Sequence, residues 1–178
     1  MHRKLKLHEL NRKSKEDFLR TEKLPVRVII DDIRSGHNVG AVFRTSDAFM
    51  LECLYLCGRT PSPPHIEISK TALGAEETVK WSRVDTAFDA VELCRSDGFE
   101  IVTIEQTTGS IPLTEMKWRP NVPYAIVLGN EVTGVSEEVI PLSSYIVEIP
   151  QWGTKHSLNV SVAAGIVLWS ACSSLLSQ

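Results

Sequence analysis

The feature that most constrains the fold is a regular alternation of short apolar runs with longer stretches of helical, amphipathic pattern. Short apolar runs bounded by turn-forming residues predict buried strands, and the helical stretches between them predict parallel connections. The runs lie at residues 26–31, 53–57, 79–84, 99–104, 124–128 and 145–149. We therefore predict an α/β domain with a mainly parallel six-stranded sheet and helices on both faces.

Length and composition bound the class of protein. The chain has 178 residues, of which 43% are hydrophobic, enough for one domain with a substantial core. No apolar run is long enough to span a membrane, and the first residues are charged rather than signal-like, so we expect a soluble, cytoplasmic protein. Apolar residues surround all four cysteines, and no second Cys or His pair completes a zinc site, which predicts buried free thiols and no metal. These cysteines are Cys53, Cys57, Cys94 and Cys172.

The charge distribution is uneven. The net charge is −3, yet residues 1–27 hold 9 Lys or Arg against 4 acidic residues. We predict a basic arm at residues 1–25, with a short helix capped by Ser14 and Asp17 at its third helical position, followed by a folded domain at residues 26–178. A basic arm on an acidic body favours contact with nucleic acid, and a solvated tail is the alternative.

Three loops follow predicted strands and carry polar residues and glycines, at residues 31–44, 129–136 and 151–159. Ligands of parallel sheets bind beyond the carboxyl ends of the strands, so these loops predict a ligand site. The second loop has the glycine spacing of a phosphate-binding loop, but Val135 and Ser136 stand where that motif requires Lys and Ser or Thr, and Glu131 would repel a triphosphate. The loop therefore favours a ligand that is neutral or cationic at the contact.

The third loop leads into an apolar helix rich in small residues, within residues 149–169. Ser157 is the predicted N-cap of this helix. One interpretation is a capped core helix with ordinary polar flanks. The other is a ligand site, because polar residues 155–159 crowd a helix N-terminus. Trp152 can either stack on a nucleobase or pack against a protein partner.

The polar positions of the three loops form recognisable patterns. They are Asn38-x-x-Ala-x-x-Arg44-Thr45, Leu128-Gly-Asn-Glu131-x-x-Gly134 and Ile149-Pro-x-x-Gly-x-x-x-Ser157-Leu-Asn159. In this order and spacing they resemble the three motifs of the SpoU (TrmH) family, the RNA ribose 2′-O-methyltransferases of the SPOUT superfamily. The resemblance covers roughly residues 26–175.

The resemblance implies a C-terminal trefoil knot, an obligate homodimer, S-adenosyl-L-methionine as cofactor, and tRNA or rRNA as substrate. It implies a catalytic set of Arg44, Asn38, Glu131, Ser157 and Asn159. The cofactor would be held, largely through backbone groups, by Leu128, Gly129, Asn130, Ile149, Ser157 and Leu158. RNA selection would come from the basic arm, the dimer surface or a second protein.

The roles of these residues follow from their chemistry. Arginine stays protonated in proteins, so we expect Arg44 to bind a phosphate and stabilise the developing alkoxide, while the assignment of the base stays open. Glu131 is expected to orient Asn38 or Arg44. Each residue also has a structural explanation: Asn38 and Ser157 as helix caps, Asn159 as a first-turn residue, Glu131 as a loop carboxylate. The alternative function is a non-catalytic RNA- or nucleotide-binding module of the same fold.

Overall fold

The structure is a computed structural model and describes residues 2–176. Its strands are β1 Leu24–Asp31, β2 Leu51–Cys57, β3 Trp81–Val84, β4 Glu100–Ile104, β5 Ile111–Pro112, β6 Tyr124–Leu128 and β7 Tyr145–Glu148. Its α-helices are α1 Lys15–Arg20, α2 Gly36–Ala48, α3 Ile66–Ala72, α4 Ala87–Ser96 and α5 Val160–Leu176. Short 3-10 helices lie at Leu7–Leu10, Ala75–Glu77 and Ile140–Leu142.

The strands form one sheet in the order β3-β2-β1-β6-β4-β7-β5, with every pairing parallel. The predicted count of six strands is wrong by one. The additional strand, β5, has two residues and pairs only with β7 at the sheet edge, so no apolar run marks it in the sequence. The parallel α/β class is confirmed.

Helices cover both faces of the sheet, as predicted. Alternate β1 residues face opposite ways, because successive side chains of a strand point to opposite faces. Val28 and Ile30 belong to the core beneath α2, α3 and α5, whereas Ile29 packs with α4 residues such as Val91. The carboxyl ends of the parallel strands meet at one edge, where the predicted ligand loops emerge.

The N-terminal arm is anchored to the domain. Ser14 caps α1 as predicted, since its Oγ accepts the Asp17 backbone N–H at 3.1 Å. Phe18 is buried in the main core, and Lys15 pairs with Glu77 at 2.6 Å. The predicted boundary at residues 25 and 26 falls inside β1, and the division into arm and domain stays a prediction.

Two helix starts differ from expectation. Helix α2 begins at Gly36 with Ser35 as N-cap, so Asn38 lies within the helix rather than capping it. Helix α5 begins at Val160, and Asn159 is its cap, because its Oδ1 accepts the Ser161 N–H at 2.9 Å. The prediction of Ser157 as N-cap is therefore wrong. Residues 157–159 stay non-helical and line a cavity instead. Within residues 2–176, no helix is both long and apolar enough to cross a membrane.

Candidate active site

A cavity of about 490 Å³ opens at the carboxyl edge of the sheet. It lies beyond β4, β6 and β7, as the rule for parallel sheets predicts. Four segments line it, at residues 104–106, 128–134, 148–151 and 156–163. Its volume is within the range of small-molecule sites.

The cavity brings the second and third predicted loops together. Of the predicted catalytic residues, Glu131, Ser157 and Asn159 line it. So do all the residues predicted to hold a cofactor, which are Leu128, Gly129, Asn130, Ile149, Ser157 and Leu158. The structure thus places these side chains in one site, and their roles there stay predictions.

The loop at residues 129–136 closes on itself by backbone contacts. The backbone N–H groups of Asn130 and Gly134 donate to each other's carbonyl oxygens at 2.9 and 3.0 Å. A Cβ on Gly129 would lie 2.3 Å from the Gly134 carbonyl carbon, so only glycine fits there. Gly134 itself has φ of 72°, a left-handed conformation that favours glycine.

Two carboxylates hold the end of this loop. Glu105 accepts the Val135 backbone N–H at 2.9 Å, and buried Asp31 accepts that of Ser136 at 2.7 Å. Glu105 also lines the cavity and was not among the site residues predicted from the sequence. The signal was present, because Glu105 directly follows the predicted strand at residues 99–104 and the carboxyl-end rule applies to it equally.

A chain of hydrogen bonds joins the three predicted loops. Asn38 donates from Nδ2 to Glu131 Oε1 at 2.9 Å and accepts from Asn159 Nδ2 at Oδ1 at 3.2 Å. This contact is the one that the expected orienting role of Glu131 requires, and the role itself stays a prediction. Each amide is thereby fixed in one orientation beside the cavity.

The loop at residues 150–158 is held much less firmly. Residues 152–159 are all exposed, and Trp152 has 92% of its surface accessible. Within the described residues, one hydrogen bond ties this loop to the rest of the chain, from Gln106 Nε2 to the His156 carbonyl oxygen at 3.0 Å. This wall of the cavity is therefore free to adjust.

The cysteines lie away from the cavity. All four are buried and free, as predicted. Burial raises the pKa of the Cys53 thiol to about 11 and that of Cys172 to about 12, so these thiols are protonated and inert. Among residues 2–176, no group of three or more His, Cys, Asp or Glu side chains is placed to hold a metal ion.

The model of the SpoU rRNA Methylase family matches residues 25–169. This chain belongs to the SpoU rRNA Methylase family. The predicted family resemblance is confirmed.

Named members of the family include tRNA and rRNA enzymes. The chain is 30% identical to the tRNA (guanosine(18)-2′-O)-methyltransferase of Aquifex aeolicus, over 93% of this chain and 74% of that protein. It is also 30% identical to the 23S rRNA (guanosine-2′-O-)-methyltransferase RlmB of Vibrio parahaemolyticus, over 92% of this chain and 65% of that protein. The chain therefore spans less than two thirds of the Vibrio relative.

Solved structures of SpoU proteins share the fold. The A. aeolicus TrmH/SpoU tRNA modifying enzyme superposes with a TM-score of 0.78 at 29% identity, over 90% of this chain and 79% of that one. The AdoMet-bound rRNA methyltransferase of Sinorhizobium meliloti gives a TM-score of 0.80 at 28% identity, over 87% of this chain and 58% of that one.

Two of the predicted catalytic residues, Asn38 and Arg44, are not among the residues that line the cavity. Arg44 is exposed on α2, at a separate depression that Lys15 and Asp47 also line. Val42 and Phe43 turn into the core while Arg44 turns outward, so Arg44 does not lie on the apolar face of α2. Within residues 2–176 its guanidinium has no hydrogen-bond or ion-pair partner.

Proposed function

We propose that this protein transfers the methyl group of S-adenosylmethionine to the ribose 2′-hydroxyl of a nucleotide in tRNA or rRNA. The observation that carries this proposal is the cavity beside the Glu131–Asn38–Asn159 hydrogen-bond chain, built from loops that resemble the SpoU motifs. The names of the Aquifex and Vibrio relatives support ribose methylation and both RNA classes.

The cavity fits S-adenosylmethionine in shape and charge. Leu128, Ile149 and Leu158 offer apolar walls for an adenine ring, and Gly129 lets the ligand approach the backbone closely. Carboxylates of Glu105, Glu131 and Glu148 also line the cavity and complement the positive sulfonium. The AdoMet-bound S. meliloti structure supports the same cofactor. When bound, this cofactor supplies an activated methyl group.

The chain's own residues position the acceptor. A ribose hydroxyl is a weak nucleophile, so transfer requires alignment with the methyl group and assistance with proton loss. Glu131 holds Asn38, and Asn38 holds Asn159, so both amides can contact the ribose without reorganising. Ser157 shapes the cofactor wall between them.

Arg44 acts on the charge of the RNA. It lies six residues after Asn38, which is about 9 Å along the axis of α2. This distance suits a phosphate next to the reacting ribose. Because arginine stays protonated, its contribution is electrostatic stabilisation and not removal of the hydroxyl proton.

The active molecule is a homodimer. Helix α5 exposes apolar side chains along one side, with 51% of Val162, 39% of Ile166 and 63% of Trp169 accessible. Such a stripe is typical of a protein interface, and a two-fold pairing of like chains is the commonest way to cover one. The exposure of this apolar stripe supports the dimer that the family resemblance implies.

Three further features complete the proposal. The C-terminal chain forms the trefoil knot that the family resemblance implies, supported by the match of the family model to residues 25–169. The basic arm, residues 1–25, contacts RNA through its excess of Lys and Arg. The protein works in the cytoplasm, supported by its four buried, unpaired cysteines, which are typical of reducing compartments.

The test is methyl transfer from labelled S-adenosylmethionine to bulk tRNA and to rRNA fragments, followed by nucleoside mapping. We expect a 2′-O-methylated nucleoside in one of the two RNA classes. Calorimetry with S-adenosylmethionine separates the alternative, because a non-catalytic binding module would show no cofactor binding.

The variant Arg44→Ala is expected to abolish turnover while cofactor affinity is retained, since Arg44 lies outside the cavity. Arg95→Ala is the matched control, because Arg95 is exposed on α4 and pairs only with Glu92. Near-normal turnover of Arg44→Ala would remove Arg44 from the mechanism.

A further inference from the structure

Asp32, the first residue after β1, ties together loops that flank the cavity. Its carboxylate accepts the backbone N–H of Arg59 at 2.9 Å, Nη2 of Arg59 at 2.7 Å and Nε of Arg34 at 3.3 Å. Its backbone carbonyl accepts Nδ2 of Asn130, a cavity residue, at 2.6 Å. One carboxylate therefore orders two arginines from different loops.

The two arginines keep unused hydrogen-bonding capacity. Arg34 donates from its side chain only through Nε, and Arg59 through Nε and Nη2. Both terminal nitrogens of Arg34 and Nη1 of Arg59 have no partner among residues 2–176. The side chains are 55% and 70% exposed, so these donors face solvent. A guanidinium has five N–H donors in a fixed fork that matches an oxyanion.

In the ion-pair cluster around Asp32, two guanidinium groups share one carboxylate. Arg59 and Arg34 hold the pKa of the Asp32 carboxyl down at about 2, so Asp32 carries one negative charge against two positive ones. The N-terminus of the 13-residue helix α2 begins at Gly36, two residues after Arg34, and adds partial positive charge. An anion is the complementary ligand.

Arginines at the opposite edge of the sheet provide a contrast. Arg27, near the start of β1, lies between Glu52 at 2.7 Å and Asp97 at 2.5 Å, with 12% of its side chain exposed. Two carboxylates neutralise this one guanidinium. At the carboxyl edge two guanidinium groups share one carboxylate, that of Asp32. This excess of guanidinium groups over carboxylates distinguishes a ligand site from a structural ion pair.

The cluster adjoins the proposed methyl-transfer site. The Arg34 backbone N–H donates to Oε2 of Glu131 at 3.4 Å, and Glu131 lines the cavity. An RNA whose ribose enters the cavity therefore has neighbouring phosphates within reach of this rim.

We propose that Arg34 and Arg59 form a phosphate clamp that binds an RNA phosphodiester flanking the target nucleotide, with Asp32 as the positioning residue. The inference rests on the proposed function, because it takes RNA as the ligand. The two guanidinium groups converge on one phosphate. Asp32 holds both arginine side chains in place before the RNA binds, which lowers the conformational entropy that they lose on binding. Phosphate contacts of this kind fix the register of the RNA without reading its sequence.

The experiment measures the affinity for bulk tRNA and for rRNA fragments over a series of salt concentrations, without cofactor. Arg59→Ala and Arg34→Ala are each expected to bind the RNA about tenfold more weakly and to lower the salt slope by about one unit. Because the two side chains share one phosphate, the double variant loses less than the sum of the two. Arg59→Lys keeps the positive charge but loses the forked guanidinium, so its affinity for RNA is expected to lie between those of wild type and Arg59→Ala.

Two further variants sharpen the test. Arg95→Ala, which removes an exposed guanidinium on α4, should leave both affinity and slope unchanged. Asp32→Asn removes a negative charge, and asparagine tolerates the left-handed φ of 52° at position 32. The clamp predicts weaker RNA binding despite this gain in net positive charge. Stronger binding would overturn the positioning role of Asp32.

The outcomes separate the clamp from the proposed function. If wild type methylates RNA but both arginine variants keep wild-type affinity and slope, the clamp is wrong and the function stands. If RNA binding depends on Arg34 and Arg59 but wild type neither binds cofactor nor transfers methyl groups, the function is wrong and the clamp stands. Thermal unfolding of each variant checks that the fold is retained.

Discussion

The two loops lining the cavity are stabilised to very different degrees. Residues 129–136 are held by reciprocal backbone hydrogen bonds, by close packing at Gly129 and by two carboxylates from neighbouring strand ends. Residues 150–158 are largely exposed and, among the described residues, share one hydrogen bond with the rest of the chain. Local stability follows the number of such contacts, so the first loop is a preformed floor and the second is a wall that a ligand can reposition.

Substitution of one glycine in each loop gives the largest contrast. Gly129→Ala places a methyl group 2.3 Å from backbone, and we expect a loss of about 3 kcal/mol in the free energy of unfolding. Gly153→Ala is the matched control. A Cβ there meets nothing within 4 Å, so its effect should stay within about 0.5 kcal/mol. Chemical denaturation measures both, and equal losses would contradict the difference between the loops.

Removal of the carboxylate that supports the floor is expected to have a smaller effect. Glu105→Ala deprives the backbone N–H groups of Val135 and Gln106 of their acceptor, at a cost of about 2 kcal/mol. Glu105→Gln retains one acceptor oxygen and should lose about half as much. Glu92→Ala, which removes an exposed carboxylate on α4, serves as control. A loss in Glu105→Ala no larger than in this control would show that the floor is stable without Glu105.

The smallest effect is expected at the end of the exposed loop. Asn159→Ala removes the N-cap of α5 and should cost about 1 kcal/mol, because the first-turn N–H groups lose their acceptor. Ser157→Ala should leave the free energy of unfolding nearly unchanged, since Ser157 caps nothing. Urea titrations compare the two. A larger loss at Ser157 than at Asn159 would restore the cap assignment made from sequence.

The sequence was informative wherever local pattern decides structure. Apolar runs located six strands, and Ser14 with Asp17 located the cap of α1. Prediction from the sequence failed where packing between elements decides the structure. The start of α5 depends on which residues line the cavity, so the sequence pattern placed the cap at Ser157 and Asn159 in the first turn, two residues too early. Strand β5 is too short for a pattern, and the outward direction of Arg44 depends on the rotation of α2 against the core.

The residues of the candidate site were likewise predictable from the sequence only in part. The motif positions lead to the cavity because each follows a strand at the carboxyl edge. Glu105 and Arg59 also follow strands, but no glycine-rich or polar stretch draws attention to them. Their importance comes from partners distant in sequence, the amide of Val135 and the carboxylate of Asp32. Such pairings need coordinates.

The order in which the cavity walls occur along the chain affects how the protein matures. The floor is complete at Ser136, whereas the facing wall and the start of α5 follow at residues 156–163. During synthesis at roughly 5–20 residues per second, the floor leaves the ribosome a second or more before its counterpart. A nascent chain therefore gains the complete cavity only after residues 156–163 have emerged, and stabilisation by ligand binding begins at that stage of synthesis.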